Sequence, residues 1–470
     1  SRGPPRVNKL RKLLGEDVAA ELAKTGGAVT LDPIVDSTPW YLKPTYDEPP
    51  EIQMNTDGGV RGGTLPALIE RLTMHDQMDA QFIDAFLMTY KSFTTTEELC
   101  QLLVERFWIQ PPEGLSPTEL EDWTERKQKP ARVRVVNIFR KMMLDPSIFD
   151  KSDSQILDKI KNFAMQIMDD VPPAKQLIMF VDRIQTQGDA VGRKYTVTNM
   201  SNAPPSILPK QGKRLKLLDI EPLELARQLT LLESKQYNAI KPIECLARAR
   251  DEPAENDSIK TIITTTNKIA SWVAASVLDK DEPRRRGNTI KHFIHVAEKC
   301  RSLHNYSSMA ALIAGLNSPP IRRLKRTWDS VPAKFTTILD DVEATLDSGR
   351  NFTAYKQRLK TVDAPCVPFL GVYLTVLTFI QDGNKDFISK EQGIINFGKR
   401  RKAAEVIREI QSYQAKQYNL SVVDQVQTFI EQSLANIEEK ADYWETSMSL
   451  EPRERDDEKM TRMLQESGFL

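Results

Sequence analysis

Cys366-Val367-Pro368-Phe369-Leu370-Gly371-Val372-Tyr373-Leu374-Thr375, followed further on by Ile394-Ile395-Asn396-Phe397-Gly398-Lys399-Arg400-Arg401, is the stretch that decides the fold of this 470-residue chain. The first segment is apolar almost all round, so it reads as a helix over about 367–382 that is buried at its start. It turns polar at Gln381-Asp382-Gly383-Asn384, and Gly383 is the residue type that stops a helix. After a short loop a second helix runs over about 395–415. Two helices joined in this way make an antiparallel hairpin with carboxylate and amide groups at its tip. On pattern alone this is either a bundle corner or a device that enters a partner's charged site.

Outward from the hairpin, apolar residues keep helical spacing almost everywhere. Phe82, Ala85, Phe86 and Tyr90 form one stripe, and Ile156, Ile160, Phe163 and Ile167 form another. Leu225, Leu229 and Leu232 share a face after Pro222. Strand alternation is scarce; Ile52-Gln53-Met54 and Val60-Arg61 around Asp57-Gly58 predict one small β-hairpin near 52–63. The stretch 186–217 lacks periodicity and is punctuated by Gly188, Gly192, Pro204-Pro205, Pro209 and Gly212, as a linker is. The fold class is therefore all-α with two helical domains. The expected divisions are a loop-rich extension over 1–45, a first domain over 46–185, and the linker over 186–217. A second domain then spans 218–455, with its hairpin at about 367–415, and a tail helix spans 456–470.

Composition narrows the function. Lys plus Arg number 65 and Asp plus Glu 65, which argues against a nucleic-acid partner. Cys100, Cys245, Cys300 and Cys366 are scattered without pairing, as in a reducing cytosol. The opening at Ser1 reads as a fragment with no secretory signal. The longest apolar stretch, 367–380, is too short and too polar to span a bilayer.

Three tempting sites have plain alternatives. Gly58-Gly59-Val60-Arg61-Gly62-Gly63-Thr64 echoes a phosphate loop, but lacks its lysine and its preceding strand; a tight hairpin explains it better. His292 and His295 with Cys300 lack a third ligand at metal spacing, so no metal site is expected. Lys399-Arg400-Arg401-Lys402 is either a solvated helix start or a contact for an acidic partner or an anionic membrane surface.

The hairpin segments resemble those of Ras guanine-nucleotide-exchange factors. Three further stretches carry the same resemblance in the family's order. Pro222-Leu223-Glu224-Leu225-Ala226-Arg227-Gln228-Leu229-Thr230-Leu231-Leu232-Glu233 is similar to the opening motif. Leu316-Asn317-Ser318-Pro319-Pro320-Ile321-Arg322-Arg323-Leu324 with Thr327-Trp328 is similar to the central one. Asp57-Gly58 to Leu65, with Phe86-Leu87-Met88-Thr89-Tyr90-Lys91-Ser92-Phe93, resembles the exchanger-motif domain that precedes it. The resemblance covers about 40 to 455.

The resemblance implies a cytoplasmic protein, recruited to the plasma membrane. It would bind a nucleotide-free or GDP-bound Ras-family small GTPase and promote GDP release and GTP loading, with no covalent chemistry and no cofactor. In the family the hairpin pries switch 1 away, with an apolar side chain near the magnesium site and an acid near the α-phosphate site. By register from Gly383-Asn384 these positions are Thr378 and Asp382, with Asn384 following at the tip. The family pattern has leucine and glutamate there. Switch 2 would be held by Thr266, Asn267, Asn317, Ser318, Arg322 and Arg323, with Asn351 and Phe369 on the same GTPase-facing surface. Val133 and Arg134 are the counterparts of a second, allosteric GTPase site, and Arg250 stands where many members have tryptophan. The alternative is a helical GTPase-binding or scaffold module that does not exchange.

Overall fold

The structure, a computed structural model, describes residues 38–47, 50–145, 147–149, 153–187, 203–209, 214–253, 257–362, 365–437, 442–452, 460–461 and 463–465. The N-terminal domain contains the β-hairpin β1 (Ile52–Met54) and β2 (Val60–Gly63). Its helices are α1 (Leu65–Leu72), α2 (Ala80–Thr89), α3 (Thr96–Phe107), α4 (Pro117–Trp123), α5 (Lys129–Leu144), α6 (Ser154–Ile167) and α7 (Ala174–Gln187). Side-chain caps set several of their starts. Thr64, Asp79 and Thr95 accept from the backbones of Ala67, Phe82 and Glu98, and Ser116 closes a capping box with Glu119. The apolar stripes then meet in one core in which Phe82, Phe86, Phe107, Phe139 and Phe163 are buried.

Residues 38–46 belong to this domain rather than to a loose extension. Thr45 and Tyr46 donate their backbone N–H groups to the buried Glu70 carboxylate, at 3.0 and 2.9 Å. Lys127 Nζ donates to the carbonyl of Lys43, at 2.6 Å. Most of the expected linker, 188–202 and 210–213, and the expected tail at 456–459, 462 and 466–470 lie outside the described residues. Within the linker, Ile207 N–H donates to Glu224 and Arg227 to the carbonyl of Pro205. The stretch around 205–207 is thus tied to the second domain.

The C-terminal domain is built from α8 (Pro222–Asn238), α9 (Pro242–Ala249), α10 (Ser258–Leu278), α11 (Pro283–Ser302) and α12 (Tyr306–Leu316). Two short helices, α13 (Pro319–Arg322) and α14 (Lys325–Asp329), lead to α15 (Ala333–Ala344) and α16 (Gly349–Lys360). The hairpin helices α17 (Gly371–Gly383) and α18 (Phe397–Ser412) follow, then α19 (Asp424–Ala435) and α20 (Trp444–Leu450). Helices α10 and α12 cross closely because residue 315 is glycine. A Cβ there would lie 2.5 Å from the carbonyl oxygen of Ala270.

Glu233 of α8 is wholly buried in this core, and no donor reaches hydrogen-bonding geometry with either of its oxygens. Burial pushes its carboxyl up to about 7, against the opposing pull of the Ser307 and Ser308 hydroxyls. The folded state therefore holds a proton that the unfolded state has released, so this contribution to stability falls as pH rises from about 4.5 to about 7. The span is worth on the order of 3 kcal/mol. Glu233→Gln should flatten the dependence of denaturant midpoint on pH between 5 and 8; an unchanged slope would show the carboxyl already ionised in the fold.

The sheet departs from expectation. The hairpin helices are joined not by a short loop but by a β-ribbon, β3 (Phe387–Ser389) and β4 (Ile394–Ile395), which turns at Gly393 with φ +66°. The ribbon completes a four-stranded sheet in the order β1-β2-β4-β3, antiparallel throughout, with Gly63 opposite Ile395. This explains the glycine run. A Cβ on Gly62 would lie 2.5 Å from the carbonyl oxygen of Ile395, so the glycines let the two domains' strands meet.

Candidate functional site

The hairpin is held from behind by the N-terminal domain. Phe397, at the start of α18, is buried in that domain's core, its ring centroid 4.6 Å from that of Phe82. Ile395 and Ala404 enter the same core. Beside them sits an ionic cluster in which two buried cations meet a half-exposed carboxylate. Lys399 Nζ donates to Asp386 Oδ1 and to the carbonyl of Gln381, both at 3.0 Å. Arg400 donates to Asp386 Oδ1 at 3.1 Å, to the Asp386 carbonyl at 2.6 Å, and across the domain boundary to Ser92 Oγ at 3.3 Å. Burial lowers the Arg400 guanidinium to about 10. Although desolvation opposes it, Lys399 and Arg400 hold the Asp386 carboxyl below its ordinary value. Arg250 joins from α9's end, donating to the carbonyl of Ser92 at 2.6 Å.

The basic run is therefore not a solvated face. Lys399 and Arg400 are buried, Arg401 pairs with Asp57 at 3.6 Å, and only Lys402 stands well exposed. Arg400 and Arg401 bond across the domain boundary, to Ser92 and Asp57, while Lys399 and Lys402 bond within the hairpin, to Asp386 and Asn384.

With its back so fixed, α17 turns one stripe to solvent: Thr375, Thr378, Phe379 and Asp382, at helical neighbour spacing. Thr378 Oγ1 donates to the carbonyl of Leu374 at 3.0 Å, so its hydroxyl is used within the helix. Phe379 is 65% exposed. Asp382 lies in the last turn, where the helix's own carbonyl ends add negative potential. Asn384 closes the helix, donating to the carbonyl of Ile380 at 2.9 Å and accepting from Lys402.

The other expected residues gather around the turn after α12. Asn317 Nδ2 donates to Glu343 Oε1 at 2.8 Å, and Asn317 Oδ1 accepts from Arg322 Nε at 2.7 Å. Arg322 also bonds Glu343 at 3.0 Å and lies over the Trp328 ring. Ser318 Oγ donates to the carbonyl of Gly315. Thr266 and Asn267 lie on α10, against which α13 packs, and Asn267 is exposed. Arg323 departs from the expected grouping. Its guanidinium turns the other way, donating to the carbonyls of Ser447 and Glu451. Phe369 is half-buried, its N–H on the Tyr355 hydroxyl. Asn351 falls in α16, with its side chain outside the described residues. Val133 and Arg134 lie apart from both groups on α5; Val133 is exposed and Arg134 touches the Met78 sulfur.

Two family models match the chain, the RasGEF domain over residues 224–401 and the RasGEF N-terminal motif over residues 59–163. This chain belongs to the RasGEF family. It is 35% identical over 464 residues to Cell division control protein 25 of Saccharomyces cerevisiae, which covers 93% of this chain and 29% of that protein. It is 34% identical over 428 residues to the protein of the same name from Candida albicans, covering 89% and 32%. Identity to Ras guanine nucleotide exchange factor J of Dictyostelium discoideum is 32% over 406 residues, covering 84% and 49%. The chain spans less than half the length of each of these relatives. No helix among the described residues is long and apolar enough to cross a membrane.

Within this RasGEF chain, reasoning from sequence missed Phe397, Asp386 and the buried half of the basic run as the brace. Nothing local marks an aromatic ring as the property of a core some 300 residues away. Phe379 was missed as well; the signal that could have found it is that it shares the stripe of Thr378 and Asp382 and is the largest side chain on it.

Proposed function

We propose that this chain is a guanine-nucleotide-exchange factor for a Ras-type small GTPase, and that α17 is the element that opens the nucleotide site. The observation that carries the reading is the exposed stripe of α17, apolar at Phe379 and acidic at Asp382, on a helix whose hairpin partner α18 is packed into the core of a second domain. No covalent step is involved. A magnesium ion needs oxygen ligands, and the exposed ring of Phe379 offers it none. A phosphate meets the Asp382 carboxylate together with the negative end of the helix. A protein that occupies such a site competes with both the metal and the nucleotide, so it binds the empty GTPase more tightly than the loaded one.

Asn317, Ser318 and Arg322, with Thr266 and Asn267, supply a second, prearranged polar surface for the same partner. Arg323 acts behind it. Val133 and Arg134 remain the proposed face for a second GTPase.

Release of a fluorescent GDP analogue from a panel of small GTPases, with this chain in catalytic amount, tests the reading. Acceleration for Ras-type members is expected, and capture without release from any member would reduce the chain to a binding module. Asp382→Ala should slow release about threefold to tenfold, or about 0.7–1.4 kcal/mol on the barrier, while keeping affinity for nucleotide-free GTPase. Phe379→Ala should slow it about fivefold with no loss of melting temperature, since the ring packs little in the free protein. An unchanged rate in both variants would leave the stripe without a role.

A further inference from the structure

We infer that the segment 442–452, which lies beyond the matched RasGEF domain, is a clamp that sets the shape of the Asn317 turn, with Glu451 as its positioning residue. The inference rests on the reading of that turn as a GTPase contact. Residues 317–329 connect α12 to α15 through two short helices and have few buried apolar anchors, chiefly Ile321 and Leu324. What holds them comes from the far end of the domain.

The Glu451 carboxylate is buried and fully used. Its Oε1 accepts from the Thr327 N–H at 3.0 Å, the Thr327 hydroxyl at 2.7 Å and Arg286 Nη2 at 3.0 Å, and its Oε2 accepts from the Arg326 N–H at 3.0 Å. It therefore does for α14 what an N-cap residue normally does, from 124 residues away in sequence. Arg286, itself fully buried, bonds Thr327 as well at 2.7 Å, so the carboxylate closes a ring of charge-assisted bonds. One helical turn earlier, Ser447 Oγ donates to the carbonyl of Pro320 at 2.6 Å. Arg323 reaches back to the carbonyls of Ser447 and Glu451 and lies over the Trp444 ring.

The clamped residues Pro320 and Arg323 flank Arg322, whose Nε holds Asn317 Oδ1. Glu451 and Ser447 touch neither Asn317 nor Arg322 in this set of bonds. They fix the backbone that presents the two. A polar turn kept rigid before binding spares the interface the cost of ordering it. Loosening the clamp should therefore weaken GTPase capture and leave the opening of the nucleotide site by α17 intact.

The test uses the full chain. Initial rates of fluorescent GDP release are measured against Ras-type GTPase concentration for wild type, Glu451→Gln, Ser447→Ala, Asn317→Ala and Phe379→Ala. The double variants of Glu451→Gln with Asn317→Ala and with Phe379→Ala are measured alongside. Glu451→Gln should raise the half-saturating concentration about fivefold to tenfold with the maximal rate within about twofold. Ser447→Ala, which keeps the buried ion pair, should act in the same direction but less. On the Asn317→Ala background the Glu451→Gln effect should nearly vanish, and on the Phe379→Ala background it should persist in full. Additivity with Asn317→Ala, or an effect confined to the maximal rate, would overturn the proposal. Hydrogen exchange of the free protein decides the matter even where the GTPase reading fails because wild type releases no GDP. Glu451→Gln should speed exchange at the amides of 321–329 and not at those of 371–383. Equal acceleration in both, or none, would make Glu451 a general stabiliser and end the inference.

Discussion

Phe397→Ala is expected to cut nucleotide release at least about tenfold while both domains keep their helical content. The ring belongs to α18 but is buried in the core of the other domain, against Phe82 and Phe86. Truncating a buried phenylalanine costs about 3–5 kcal/mol, part of it from the cavity left behind. Here that loss falls where the hairpin is fixed, at the edge where its ring joins the N-terminal core. The neighbouring bonds of Arg400 to Ser92 and of Arg250 to Ser92 bridge the same boundary, and they cannot replace the lost apolar surface. Circular dichroism should be nearly unchanged while the exchange rate drops. A variant with normal helicity and a normal exchange rate would show that α17 needs no brace.

The second large effect is expected at Asn317→Ala. The amide is held between Glu343 and Arg322, so it meets a partner already oriented. Losing a buried interface hydrogen bond costs about 1–3 kcal/mol, or about fivefold to 150-fold in affinity. Capture of nucleotide-free GTPase and the exchange rate at low GTPase concentration should fall together. Surface plasmon resonance on immobilised nucleotide-free GTPase measures the first and fluorescent GDP release the second. Wild-type affinity in this variant would remove the turn from the interface.

What the sequence made legible follows from the range over which each signal acts. Helical periodicity and caps are local, so the stripe Ile156, Ile160, Phe163 and Ile167 falls within α6, and Leu225, Leu229 and Leu232 fall within α8. Thr378 and Asp382 were placed by register from Gly383-Asn384, and Phe379, their helical neighbour on the exposed stripe of α17, was overlooked. The ribbon β3–β4 was not, because its strands are two and three residues long and gain their meaning only by pairing with β2. A basic run reads as surface until its counter-ion is known; Asp386 lies 13 residues from Lys399, and the ring of Phe93 beneath Arg400 lies in another domain. Helix α20 escaped notice for a related reason. It is short and polar, and Ser447 is wholly buried only because Arg323 and Pro320 meet it there. The glycine run was legible as a tight hairpin, but not the crowding of Gly62 by the Ile395 carbonyl of a strand from the other domain.

The central claim is that this chain and the guanine nucleotide oppose each other on one GTPase, and linkage makes that claim measurable in both directions. The most direct measurement is the affinity of the chain for a Ras-type GTPase across a titration of GDP with magnesium. The account requires affinity to fall as GDP rises, by the same factor by which saturating chain weakens GDP binding. An affinity that does not change with GDP would contradict it, because a hairpin that leaves the nucleotide undisturbed cannot release it.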